Sequence, residues 1–377
     1  MAFEPQELRP RFQPDWVPSW VTNPPGDITE LRYREDHIRR GRSPVMDAVR
    51  LMDNKPVMLK KVYQANNGFD QELVISKYVS STELSKHADN NCVPVYEVLN
   101  VPEDTKFVVI VMPLLHPFDT TRFDTIGKCF DFFYQTFKVY HAWSPTSVVC
   151  SFFIIVILLI GGVTFDCYYE VLALNAPFSD CTQNNVMMDP SEIYPDGFHP
   201  VKYNMNCDLT GPAFQKYTRT QRPPKYYWID FGLSVQFDRS DEFPRAISIR
   251  EGDKSVPEFQ DMARLHAARD PFPTDIYYLG NLGHSGLLDG FKYGFAFMKP
   301  LVDAMVQEDM TKRPKIDQCV VHLEEIIRSQ SSWTLRAQIW HSTDNPFGFL
   351  NRFLPHWARR IIYIITRTPA VPSWSSR

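Results

Sequence analysis

The chain has 377 residues, 44% hydrophobic and 22% charged, enough for one two-part domain or two small ones, so size does not limit the core. A formal net charge of -4 excludes a general nucleic-acid binder, which needs a dominant basic face to neutralise phosphates. Seven cysteines, odd in number and without a Cys-x-x-Cys pair, speak against a zinc or dithiol centre and fit a reduced compartment. Residues 1–20, broken by Pro5, Pro10, Pro14 and Pro18, have no apolar core and do not read as a secretory signal, which leaves an intracellular, cytoplasmic address as the expectation.

Residues 1–28 are rich in proline and aromatics without periodicity and predict an extended arm with little chemistry. The mixed-charge run Leu31 to Arg42 reads as a solvated strand or loop face. Val45 to Met52 and Pro56 to Tyr63 predict two strands joined at a tight turn, Asp53-Asn54-Lys55. A helix is predicted over Phe69 to Ser80, then strands over Val93 to Val98 and Phe107 to Met112, the second apolar enough to be buried. That order describes a small antiparallel lobe over 29–112 with one helix packed on it.

From 113 to 330 helical spacing dominates, in Phe123 to Lys138, Asp275 to Leu282, Phe295 to Gln307 and Ile316 to Ser329, which implies a larger helical lobe. Within it, residues 190–224 are rich in Tyr, Pro and Asn and read as a surface insertion. The tail, 331–377, sets Arg352, Arg359, Arg360 and Arg367 beside Phe349, Phe353, Leu354, Trp357 and the run Ile361 to Ile365. It reads as a segment packed on its own domain, or as an amphipathic stretch for an anionic membrane surface.

The chemistry-bearing residues fall in a definite order. Lys60 ends the alternating strand Val57-Met58-Leu59-Lys60, and Glu72 follows in the first turn of the predicted helix. Asp180 precedes Asn185, and Asp230-Phe231-Gly232 follows the apolar run Tyr226-Tyr227-Trp228-Ile229. A carboxylate with an amide at that spacing, and an aspartate in a tight turn at a strand end, are what a site needs to hold Mg²⁺ over phosphates and orient a hydroxyl. Taken singly, each has a plainer reading. Lys60-Lys61 is a charged strand end, Glu72 a glutamate favoured by the helix dipole, and Asn184-Asn185 a pair of turn formers.

Together these residues resemble the eukaryotic protein kinase-like superfamily over roughly residues 30 to 330, joined by Val256-Pro257-Glu258, Asp275-Ile276-Tyr277-Tyr278-Leu279-Gly280 and Asp309-Met310-Thr311-Lys312-Arg313-Pro314. With the long insert and Cys181-Thr182-Gln183-Asn184-Asn185-Val186-Met187-Met188, the chain is similar to the kinase-like proteins of mushroom-forming fungi. The resemblance implies a two-lobed α+β fold with an ATP cleft near Met112 to His116. It also implies ATP and Mg²⁺ as cofactors and Ser/Thr hydroxyls of a protein as phosphoryl acceptors. Lys60, paired to Glu72, then neutralises the α and β phosphates, Asp180 accepts the hydroxyl proton, and Asn185 and Asp230 hold the metal. Phe231 packs between the lobes beside Gly232, Asp275 caps the catalytic-loop backbone, and Arg313 pairs with Glu258.

Three departures qualify the resemblance. No Gly-x-Gly-x-x-Gly precedes Lys60, the stretch offering only Gly41, and Phe178-Ser179 stands where the family has His-Arg. Both favour the alternative of a catalytically silent pseudokinase that acts as a binding or scaffold protein. The third departure is Val148 to Phe165, eighteen residues without a charge, which at 1.5 Å each reach about 27 Å and read as a transmembrane span. Arg122, Lys128 and Lys138 precede it and the next basic residue is Lys202, so an inserted segment keeps its N-terminal side cytoplasmic and separates Lys60 from Asp180 and Asp230. The run reads in three ways: a very apolar buried helix, a single membrane pass through a broken kinase-like domain, or noncoding sequence carried into the reading frame. The abrupt change after Lys138 favours the last.

Overall fold

The computed structural model describes residues 6–24, 26–27, 33–38, 44–64, 71–82, 84–102, 104–143, 148–149, 183–232, 234–236, 246–247, 255–260 and 268–372. Five strands, β1 (Gln6–Leu8), β2 (Val45–Arg50), β3 (Lys55–Tyr63), β4 (Glu97–Asn100) and β5 (Phe107–Pro113), form one antiparallel sheet in the order β1-β2-β3-β5-β4. The β2–β3 turn closes at Asn54, whose φ of 55° lies in the left-handed region that asparagine tolerates. On one face of the sheet Ala48, Val57 and Val111 are buried with Leu8, Leu59 and Leu99 against them. The other face buries Val62, Val108 and Ile110 under Leu73 of helix α2 (Gln71–Val79). Because side chains alternate along a strand, Lys60 shares the face of Val62 and points toward α2.

The strand predicted over Val93 to Val98 instead starts at Glu97. Tyr96 N still donates to Val111 O on β5, but earlier in the segment the bonds go elsewhere: Val93 N donates to Trp228 O at 2.9 Å, and Trp228 N donates to Asn91 O at 2.8 Å. It thereby joins the sheet to the helical half. The arm is not extended throughout, since it turns through a 3-10 turn, Pro10–Phe12, and a short helix, α1 (Ser19–Thr22), and it carries more chemistry than its composition suggested. Beyond β1, Arg9 reaches Glu35 (2.7 Å) and Asp47 (2.9 Å), and Arg11 reaches Glu35 (3.1 Å). The fully buried His199 closes the cluster on Glu35 Oε2 at 2.8 Å. Burial alone would raise the Glu35 carboxyl, but the hydrogen bond with His199 and the charges of Arg9 and Arg11 hold it at about 2.

The helical half is built on α3 (Ile126–Trp143), whose residues from Ile126 to Val139 are buried on nearly every side, with Cys129, Phe130, Phe132, Phe133, Tyr134 and Phe137 in the apolar core. It starts three residues later than the predicted helix and runs five past Lys138. The start is tight because a Cβ on Gly127 would overlap Ala370 O, so the C-terminal tail can lie directly on this turn. Helix α4 (Phe272–Gly283), α5 (Lys299–Met305) and the amphipathic α6 (Ile316–Ser329) complete the core, α6 burying Ile316, Cys319, Val320, Leu323, Ile326 and Ile327. The stretch predicted as one helix over Phe295 to Gln307 divides into a 3-10 turn, Ala296–Met298, and α5.

Residues 190–224 contain neither helix nor strand, but they are not a superficial insertion. Ile193, Tyr194, Phe198 and His199 are buried, and Tyr194 stacks on His116 at 5.0 Å. His116 is itself fully buried, with Nδ1 on Pro117 O and Nε2 on Tyr203 O, so the insertion covers the segment that follows β5. The tail forms α7 (Ser332–Leu335) and α8 (Pro346–Ile365) and rests on the helical half through buried Leu335, Arg336, Arg360 and Val371.

Of the run Val148 to Phe165, only Val148–Val149 lies among the described residues, as a short strand antiparallel to Val235–Gln236. Among the described residues no helix is long and apolar enough to cross a membrane.

Candidate functional site

Lys60 reaches the site from the middle of the sheet, its register fixed between Val45 on β2 and Ile110 on β5. Glu72 stands in the first turn of α2. Asp230 arrives from a third direction. The strands Val186–Met188 and Tyr226–Trp228 pair antiparallel, and Ile229 N donates to Asn185 O at 2.9 Å. This places Asn185 and the residue before Asp230 side by side at one end of the ladder.

Lys60 Nζ donates to Glu72 Oε1 and, at 2.9 Å, to Asp230 Oδ1, closing a three-residue centre from positions far apart in the chain. Burial pulls the Lys60 ammonium down, but the two carboxylates outweigh it and its pKa lies above the ordinary lysine value. Lysine is thus a fixed cation here, and it holds one oxygen of each carboxylate in place. A contact of 2.9 Å cannot form across a bilayer, so in this conformation Lys60 and Asp230 share one side of any membrane.

Asp230 has φ of 65°, a left-handed conformation uncommon for a residue with a Cβ, and such strain persists where the surroundings impose it. Gly232 N donates to Asp230 Oδ1 at 3.2 Å, and Phe231 is buried in the main core. A Cβ on Gly232 would sit 3.2 Å from Asp230 Oδ1 and 3.5 Å from Glu72 Oε2. The glycine leaves room for both carboxylates.

The structure places Glu258 and Arg313 together in a buried fork: Nη1 to Oε1 at 2.8 Å and Nη2 to Oε2 at 2.7 Å. Arg313 also donates to Gln307 O and Pro273 O, and Thr274 Oγ1 donates to Glu258 Oε1. Asp275 is buried in the first turn of α4. Asp180, with Phe178 and Ser179 before it, lies outside the described residues, as does Gly41.

The donor set suits a hard cation beside phosphate. The hydrogen bonds of Asp230 to described residues fall on Oδ1, and the half-buried Asn185 has its main chain beside Ile229, the residue before Asp230. A carboxylate and an amide are a donor pair of the kind Mg²⁺ takes, since that ion uses one or two protein oxygens and fills its octahedron with water and phosphate. No group of three His, Cys, Asp or Glu side chains among the described residues is placed to hold a metal by protein ligands alone. Sequence reasoning named His116 only as an edge of the expected cleft, without its burial, and missed the Arg9–Glu35–His199 cluster. Glu35 and His199 stand 164 positions apart, and no local spacing signals their contact.

Fold and site define an α+β protein with a five-stranded antiparallel sheet, a helical C-terminal region and a buried lysine held between two carboxylates. No protein-family model matches the chain, and no curated protein matches it.

Proposed function

We propose that the chain is a protein kinase-like phosphotransferase that binds Mg·ATP between sheet and helical half and transfers a phosphoryl group to Ser/Thr hydroxyls. The observation that carries this reading is the Lys60–Glu72–Asp230 centre, in which a fixed ammonium, a helix carboxylate and a strained strand-end aspartate converge. In this reading Lys60 neutralises phosphate charge and is oriented by Glu72. Asp230 and Asn185 are the oxygen donors for Mg²⁺, which supplies charge neutralisation at the transferred group. Asp180 is the base that accepts the hydroxyl proton. The two-lobed arrangement of the family, with Phe231 between the lobes, accords with a sheet joined to a helical half through the 113–116 segment.

Phosphoryl transfer from radiolabelled ATP tests it. Asp230→Asn keeps the shape of the side chain but weakens the metal site, and turnover should fall by about 10²-fold or more with the fold retained. Full activity in that variant refutes the assigned metal role. A second reading, a catalytically silent binding protein of the same family, is favoured by Phe178-Ser179 and by the lack of glycines around Gly41. It predicts nucleotide binding without turnover in the natural chain.

A further inference from the structure

The tail encloses a second polar site that shares no residue with Lys60, Glu72 or Asp230. A small, partly open cleft lies where α8 and the end of α7 meet the residues before α3. Its walls bring together Arg336, Arg359, Arg360 and His356, with Thr220 beside them. Arg336, Arg360 and His356 are only 8%, 5% and 4% exposed.

Each of these three side chains has a buried nitrogen with no hydrogen-bond partner among the described residues: Arg336 Nη1, Arg360 Nε and His356 Nε2. Their remaining contacts hold them in place. Arg336 Nη2 donates to Thr368 O and its Nε to Ser332 Oγ. Arg360 Nη2 donates to Trp333 O at 2.6 Å, and its guanidinium lies 3.6 Å from the centre of the Trp333 ring. Asp124 is the carboxylate in the wall, 4.0 Å from Arg359 Nη2, and it offsets one of the three arginine charges.

A guanidinium cannot escape burial by losing its proton, so two donor-rich cations with no facing carboxylate of their own among the described residues call for an anion. Burial lowers Arg336, Arg360 and His356, and the charge of Arg336 lowers Arg360 further. We propose that this cleft binds a phosphate group, either as inorganic phosphate or as the phosphomonoester of a lipid headgroup. A phosphomonoester carries close to two negative charges and three acceptor oxygens at neutral pH, which matches the excess of two arginines and the unused N–H groups. The lipid source is raised by the outer face of α8, where Phe347, Leu350, Leu354, Ile361 and Ile365 are exposed at helical spacing on the helix that supplies His356, Arg359 and Arg360.

Calorimetric titration of the full chain with inorganic phosphate, against chloride at equal ionic strength, tests the site. The expected result is saturable phosphate binding, weakened about tenfold by Arg336→Gln and by Arg359→Gln. Arg359 is 36% exposed on its side chain, so its variant remains informative if Arg336→Gln does not fold. Sedimentation with vesicles of phosphatidylcholine and phosphatidic acid separates the sources. Vesicle binding displaced by inorganic phosphate assigns the headgroup, and saturable phosphate binding without vesicle binding assigns the soluble ion. The proposal is overturned by the absence of saturable phosphate binding, by phosphate binding unchanged in both variants, or by vesicle binding that phosphate does not displace.

Discussion

Glu258→Ala lowers the unfolding free energy by about 3–5 kcal/mol, the range expected when one member of a buried ion pair is removed. Arg313 is completely buried on its side chain and Glu258 nearly so, and the two meet through a bidentate fork. With the carboxylate gone, the guanidinium keeps Gln307 O and Pro273 O as acceptors but has no opposite charge. The pair also confers an acid limb. Burial by itself would raise the Glu258 carboxyl, yet the hydrogen bonds and charge of Arg313 hold it below its ordinary value of 4.5. A carboxyl depressed in the folded state contributes stability that is complete above its unfolded pKa and is lost as pH falls through the folded one. Denaturant unfolding across pH 3 to 7 should therefore show a loss of stability below about 4.5 that is smaller in Glu258→Gln than in the parent. An Ala variant within 1 kcal/mol of the parent would contradict the fork, by the ~3 kcal/mol minimum expected of a broken buried pair.

Lys128→Met has the opposite sign and raises stability by roughly 1–3 kcal/mol at neutral pH. Lys128 is 1% exposed in the first turn of α3, and its Nζ has no hydrogen-bond partner among the described residues. Burial brings its pKa down from 10.5 to about 8, with Asp131 opposing and Arg219 and Arg336 adding to the fall. A cation depressed in the folded state penalises folding below about 8, and the penalty is relieved as pH rises toward 10.5 because the unfolded chain still binds the proton. The difference in unfolding free energy between variant and parent should thus be largest near pH 7 and shrink by pH 10. A constant difference would show that Lys128 does not discharge in the native state.

Much of the sheet was legible because its signals are local. Alternation in β3, a turn at Asp53-Asn54 and an apolar β5 require no distant partner, and the periodicity of α6 located both of its ends. Lys60, Glu72 and Asp230 were readable as residues in order, although the contact that joins them spans 170 positions and belongs to the tertiary fold. Where the reading failed, a remote partner decided the outcome. Val93 to Val95 fall within the expected strand, but the Val93 N–H goes to Trp228 O instead of extending β4 backwards. The insertion at 190–224 carries turn-forming residues, and only the packing of Tyr194 and Phe198 around His116 shows that it is part of the core. The arginines of the tail left two readings open, packing on its own domain or a membrane surface, and only the tertiary fold shows Arg360 turned inward onto Trp333.

If the Lys60–Glu72–Asp230 centre receives Mg·ATP, nucleotide at millimolar concentration stabilises the folded chain, which a thermal-shift titration measures. A ligand at one hundred times its Kd stabilises the folded state by about 2.7 kcal/mol, so the unfolding midpoint should rise by a few degrees. The rise should require Mg²⁺ and be lost in Lys60→Met and Asp230→Asn. A midpoint that does not move with Mg·ATP, or moves equally in both variants, would contradict the account.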